Sequence, residues 1–352
     1  MDPTSYNRIE KLLETNSNPA QDSERGSGYD FSKETILITG AAGTVGSSLS
    51  KLLLNSRFKA LVLLDNAETP LYYLQKELEP FCPKNVFIAL ADIRDELSMR
   101  NVFEEFKPTL IFHAAAYKHV PMMESNPYEA VKLNIFGTLL LAELALKHNV
   151  KKVVFISTDK AVNPSSVMGM TKRIGERFLN HLNTQNKTRF LAVRFGNIIE
   201  SNGSLIPLFK KQIEQGNPLS ITDENVTRYF ISKLKACHLI LKIATNSTWE
   251  HSLFSFDMGK PIKILDMAHY FLKLHNLDVH DNIKTIGLRP GEKLHEDIIS
   301  ENEALKPSAY NDIFYVIPKS SQTLTVSDLE PLRAITPYDK PSTIKDILKG
   351  FI

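Results

Sequence analysis

From position 35 the chain alternates short apolar runs with longer stretches whose apolar residues recur at helical spacing. That alternation is the pattern of parallel strands joined by crossover helices. Six runs read as strands, at 35–39, 60–65, 86–90, 110–113, 152–157 and 190–195. They are apolar at consecutive rather than alternate positions, so each suits a sheet covered on both faces. Segments 47–55, 70–78 and 128–148 read as helices; Leu71, Leu74 and Leu78 share one face of the second, and the third is strongly apolar along one side. The predicted fold class is α/β, built on a doubly wound parallel sheet.

After about residue 197 the rhythm breaks into SNGSLIPLFKKQIEQGNPLS, rich in Gly, Pro and Ser, and then into shorter elements of mixed type. A domain boundary is expected there. The predicted organisation is an N-terminal helix (about 6–14) and linker over 1–33, the sheet domain over 34–197, and a smaller α/β substrate-binding domain over 198–352. A strand at 253–257 is expected to return to the main sheet. A length of 352 residues fits two units better than a single core.

Composition narrows the function. With 42 basic and 40 acidic residues the formal charge is only +2, so nothing draws the chain in bulk to nucleic acid or an anionic membrane. Any anion it binds is held locally. Cys82 and Cys237 lie far apart with no second thiol or His at ligand spacing, which argues against a disulfide framework and against a metal site. No apolar run approaches the roughly 20 residues of a membrane span, and the polar start lacks a signal-peptide core. A cytoplasmic location is expected.

The segment TGAAGTVG follows the first strand and opens the first helix. Its glycines Gly40, Gly43 and Gly46, with Thr44 and Val45 between them, let backbone approach a pyrophosphate at a helix N-terminus, as in Rossmann-type domains. The second strand ends at Asp65, placed to accept hydrogen bonds from an adenosine ribose. That carboxylate would repel a 2′-phosphate, so NAD rather than NADP is the predicted cofactor. Asp92 and Ile93 after the third strand fit the adenine edge. Ala114, Ala115 and Ala116 after the fourth allow close approach to the dinucleotide.

Beyond the fifth strand the chain reads STDKAVNPSSVMGMTKR. Together with the glycine turn, HAAAYKHVPMME, RFGN, GSLIPLFKKQI, TRYF and GLRPGEKLHE, it resembles the bacterial polysaccharide-biosynthesis (CapD-like) family of UDP-N-acetylglucosamine 4,6-dehydratases. That family is a branch of the extended short-chain dehydrogenase/reductases. The likeness runs from about residue 35 to 297. Many members carry N-terminal membrane helices, whereas this sequence shows none. The superfamily's Tyr-x-x-x-Lys pair corresponds here to Met168 and Lys172, on one helical face. A thioether carries no exchangeable proton, so Met168 is no general acid or base; Lys172 remains suited to the nicotinamide ribose. Methionine at this position resembles the configuration-retaining branch, while the inverting branch keeps tyrosine.

Proton transfer is then expected from Thr158, Asp159 and Lys160. Consecutive strand residues point to opposite faces, so Asp159 and Lys160 both face the substrate only if the strand has ended and the chain turns; AVNP favours that turn. In the implied reaction, oxidation at C4 of the sugar acidifies C5. Lys160 removes the C5 proton, Asp159 protonates the departing C6 oxygen, and Thr158 bonds near O4. Deprotonation of the C4 hydroxyl is left open among Thr158, Asp159 and water. The substrate is expected to be a UDP-sugar, contacted by Lys118, His119 and Asn197, with Arg228 and Arg289 on the diphosphate and Glu292 on a uridine ribose. The loop at Glu200, Ser201 and Asn202 departs from the family pattern and is expected to border the sugar pocket. The apolar helix at 128–148 suits a homo-oligomer. A 4-epimerase, a 4-ketoreductase and a non-catalytic NAD sensor are the competing readings.

Overall fold

The computed structural model describes residues 3–17, 29–81, 83–320 and 324–352. The predicted linker after the first helix, and Cys82, lie outside the described residues. Helix α1 covers Pro3–Ser17. Strands β1 (Asp30–Thr39), β2 (Arg57–Asp65), β3 (Val86–Leu90), β4 (Leu110–His113), β5 (Lys152–Ile156) and β6 (Arg189–Arg194) then alternate with helices. These are α2 (Thr44–Leu53), α3 (Glu68–Leu78), α4 (Glu96–Phe106), α5 (Val120–Ser125), α6 (Pro127–Ala130), α7 (Thr138–Lys147) and α8 (Val167–Leu182). All six predicted strands are present. Ile36, Leu37 and Ile38 are each fully buried, as a strand covered on both faces requires.

With β11 (Leu253–Phe256), β14 (Glu303–Pro307) and β15 (Ile313–Pro318), the sheet has nine strands in the order β14-β15-β11-β6-β5-β4-β1-β2-β3. From β3 to β11 (Leu253–Phe256) every pairing is parallel. The chain therefore does return to the sheet at 253–256, beside β6. Two further strands were not anticipated: β15 (Ile313–Pro318) pairs antiparallel with β11, and β14 (Glu303–Pro307) antiparallel with β15. Helices α12 (Glu330–Arg333) and α13 (Pro341–Lys349) then bury Leu332, Ile344 and Leu348 in the core shared with α4, α7 and α8. The stretch after residue 197 thus serves both units. Isolated short apolar runs such as IFYVIP carry no sign of which sheet they join.

The smaller unit is built from α1, α9 (Leu205–Glu214), β8 (Leu219–Ile221), β9 (Thr227–Arg228), β12 (Ile262–Lys263), α11 (Ile264–Leu274) and β13 (Ile283–Thr285). Its own core holds Ile9, Ile206, Phe209, Met267 and Phe271. β7 (Asn197–Ile198) and β10 (Phe230–Ile231) pair parallel at the junction, and α10 (Lys233–Thr245) packs back on the sheet beside α2. The helix expected at 128–148 is continuous but contains a π-helical stretch, Val131–Gly137, between α6 and α7. One extra residue in the turn is invisible to a periodicity argument. It has a use, described below.

Candidate active site

The strand order reverses between β1 and β4, which is where ligands bind in open α/β sheets. A cavity of about 290 Å³ opens there, lined by Gly40, Gly43, Asp65, Asp92, Ile93, Ala114, Ala115 and Ala116 among others. Gly40 has φ +69°, and a Cβ on it would lie 2.6 Å from the backbone nitrogen of Ala115. A Cβ on Gly46 would lie 2.1 Å from the Gly40 carbonyl oxygen. The cradle is thus bare backbone by steric necessity, and its fit to a dinucleotide pyrophosphate at the start of α2 follows. Asp65 accepts from Ala42 N at 2.9 Å and from Ala67 N at 3.0 Å, tying the glycine turn to the end of β2. Val45 packs against the α2–α10 core instead of lining the cavity.

Asp92 is not a free acceptor. Arg94 bonds it at 2.7 Å and holds it down to about 2, while Arg94 also pairs with Glu129 at 2.9 Å. Arg94 is therefore neutralised on both sides. Asn202, expected by the sugar, instead lines this cavity, and its backbone N–H donates to Thr44 Oγ1 at 3.1 Å. The π-helical turn aims Asn134 at the far wall. Its carboxamide accepts from Tyr117 N at 2.9 Å and donates to Tyr117 O and Thr171 Oγ1, both at 3.0 Å. Loop and α8 are thereby locked together.

β5 ends at Ile156, and Asp159–Ala161 form the expected turn as one 3₁₀ step capped by Thr158. Gly169 makes room for it, since a Cβ there would lie 2.2 Å from the Lys160 carbonyl oxygen. Thr158 Oγ1 donates to Asp159 Oδ1 at 2.9 Å. Lys160 Nζ lies 2.9 Å from Asp159 Oδ1, 3.2 Å from Asn197 Oδ1 and 3.7 Å from Glu296 Oε1. Asp159 is 1% exposed. A second cavity of about 110 Å³ meets this cluster, lined by Val120, Pro121, Lys160, Asn197, Arg228, Arg289, Glu292, Lys293 and Glu296. Glu296 was not singled out from the sequence, although it closes the GLRPGEKLHE segment.

The remaining expected residues fall in different places. Arg228 is buried and spends its guanidinium on Thr227 O, Leu294 O, Glu292 Oε1 and Lys293 O, between 2.7 and 3.2 Å. It braces the 292–294 loop rather than presenting a free fork. Glu292 likewise bonds Arg228 and Arg289. Burial would raise its carboxyl, but Arg289 and Arg228 bring it below the usual range. Arg289 keeps only its Nε on Glu292 and is half exposed over the cavity. Lys118 and His119 are exposed at the start of α5, His119 against Gly203. Met168 is 3% exposed in the core. Lys172 donates to Ile156 O at 2.8 Å above the Phe155 ring, and burial lowers it to about 7; it lines neither cavity.

Beneath the site lies a buried ion network. Arg194, 1% exposed, bonds Glu176 at 2.6 and 2.7 Å and Glu303 at 2.9 and 3.0 Å, and Ser157 donates to Glu176 at 2.5 Å. The network fastens β6, α8 and the start of β14 immediately behind the Thr158–Lys160 turn.

Among the described residues no cluster of side chains suits a metal ion, and no helix is long and apolar enough to cross a membrane. The chain is 43% identical to the capsular polysaccharide biosynthesis protein CapD of Staphylococcus aureus, over 81% of this chain and 48% of that protein. It is 33% identical to a UDP-N-acetylglucosamine 4,6-dehydratase (inverting) of Campylobacter jejuni, over 82% of this chain and 84% of that one. The chain spans about half the length of the first relatives it matches. Among solved structures, Pen from Bacillus thuringiensis superposes with a TM-score of 0.74 at 30% identity, covering 84% of this chain and 92% of that one. DesIV, a dTDP-glucose 4,6-dehydratase from Streptomyces venezuelae solved with NAD, has a TM-score of 0.67 at 19% identity over 75% and 88% of the two chains, a likeness of fold. The family model described as polysaccharide biosynthesis protein matches residues 36–318, and with the glycine cradle and the second cavity in place the chain belongs to that family.

Proposed function

We propose that this chain is an NAD-dependent UDP-sugar 4,6-dehydratase, with UDP-N-acetylglucosamine as its substrate. The observation that carries the reading is the Thr158–Asp159–Lys160 turn. It puts an acid and a base 2.9 Å apart at the wall of a cavity that also holds Arg228, Arg289 and Lys293, while the position of the superfamily's tyrosine is taken by Met168, buried in the core. An epimerase needs no acid and base for expelling water; an elimination needs both. A bound nicotinamide would supply the hydride chemistry, oxidising C4 and later reducing C6.

The residues divide the rest. Gly40, Gly43 and Gly46 admit the pyrophosphate, Asp65 takes the ribose hydroxyls, and Arg289 meets the diphosphate as a free fork. Lys160 removes the C5 proton and Asp159 gives a proton to the C6 oxygen as its bond to carbon breaks. Transfer of one proton from Lys160 to Asp159 puts both groups in the states this step needs. Met168 in place of tyrosine supports retention at C5, whereas relatives named inverting argue for inversion; the product's configuration decides.

Incubation with UDP-N-acetylglucosamine and no added cofactor is expected to yield a product lighter by one water. A product of unchanged mass would favour the epimerase named among the relatives at 30% identity. Gly40→Ala is expected to leave the purified protein without dinucleotide and to cost about 1–2 kcal/mol, the cost of a left-handed backbone for a residue with a Cβ. Dinucleotide released on denaturation reads this directly; equal content in variant and parent would remove Gly40 from the cradle.

A further inference from the structure

Two buried carboxyls flank a single ammonium at the site, and hydrogen-bond accounting leaves one proton to place. Asp159 and Glu296 are 1% and 8% exposed. Each offers one oxygen to Lys160 Nζ, at 2.9 and 3.7 Å. The other oxygen of each, Asp159 Oδ2 and Glu296 Oε2, is buried without a protein partner among the described residues. A buried carboxylate oxygen lacking a partner costs free energy, and protonation is the usual remedy. Lys160 balances one of the two charges. A buried site with two carboxylates against one ammonium behaves as a pair sharing a proton.

We propose that Glu296 is a positioning residue for proton transfer: it and Asp159 hold one proton between them across Lys160, and this keeps Asp159 supplied as the acid. The groups facing Glu296 support the assignment. Asp159 and Lys160 approach from the 3₁₀ turn, Arg228 from β9, and Lys293 from its own loop, where Lys293 Nζ is engaged by Val162 O at 3.0 Å and Arg228 by the four acceptors described above. Burial and Asp159 raise the Glu296 carboxyl, against Lys160, Arg228 and Lys293, which lower it. The protonated pair is therefore present at lower pH and is lost as pH rises through its raised value.

In the elimination Lys160 first passes its ammonium proton to the pair, so that Asp159 and Glu296 are both protonated and Lys160 is a neutral amine. Asp159 then gives its proton to the departing oxygen while Lys160 takes the C5 proton, and the electrons of the broken C5–H bond form the C5–C6 double bond. Water is released, and the site holds the same number of protons afterwards. Without Glu296, Asp159 and Lys160 rest as a plain ion pair, and the acid is available only through direct proton transfer between the two.

The role of this proton rests on the dehydratase reading; its location does not. Infrared difference spectra of the protein across pH are expected to show a protonated-carboxyl C=O band at neutral pH that is absent in Glu296→Gln and in Asp159→Asn. In turnover, Glu296→Gln is expected to lower kcat about 10²-fold with KM and retained dinucleotide unchanged, and Glu296→Asp to recover part of it with a displaced pH profile. A wild type with no such band, or a band that survives Glu296→Gln, overturns the shared proton. A band that behaves as expected in a protein that expels no water leaves the proton pair standing and overturns the dehydratase reading instead.

Discussion

Lys160→Met is expected to lower water elimination about 10³-fold while the protein stays folded and loaded with dinucleotide, within the range for losing a positioned general base. Lys160 sits on a turn, is 20% exposed, and packs no core, so the substitution removes its charge and proton without opening a cavity. The effect belongs in kcat, because Arg289 and the glycine cradle hold the substrate and cofactor by other contacts. Hydride exchange at C4 should survive better than elimination. Near-normal elimination by a folded, loaded Lys160→Met protein would remove the lysine from the base role.

The largest effect on stability is expected at Arg194. Arg194→Leu leaves Glu176 and Glu303 in the interior with Arg173 as their remaining cationic partner, and stripping one partner from a buried ion network costs about 3–5 kcal/mol. Denaturant unfolding measures it; a loss below about 1 kcal/mol would mean that the carboxyls find other partners. The same network sets the acid limb. Burial would raise Glu303, but hydrogen bonds and charge from Arg194, with Arg173, bring it from the ordinary 4.5 down to about 2. A depressed native value stabilises the fold above the ordinary value, and that contribution is lost as pH falls from about 4.5 through about 2. In Arg194→Leu this acid-side slope should flatten.

The sheet was legible because its central strands bury both faces and so read as apolar runs, although the edge strand β3 leaves Phe87 and Leu90 exposed, and the glycine turn because Gly40 and Gly46 leave no room for any other residue. The turn after β5 was legible from Pro164 and the strand-parity argument. What the sequence concealed depends on distant pairing. β14 and β15 join the sheet from more than a hundred residues beyond β6, and nothing local marks that destination. Arg228 looked like a diphosphate ligand because arginine in a loop suits one; only its four protein acceptors reveal a brace. Glu296 stood in a recognised segment, yet its meaning comes from a lysine 136 positions earlier.

The most direct test of the account is a proton NMR time course of UDP-N-acetylglucosamine with the purified protein and no added reductant. The account predicts loss of the C6 methylene signals, growth of a methyl signal from a 4-keto-6-deoxy sugar, and, with the C5 configuration read from the same spectra, retention. A C4 epimer with its C6 hydroxyl intact, or turnover that requires a stoichiometric external reductant, would contradict it.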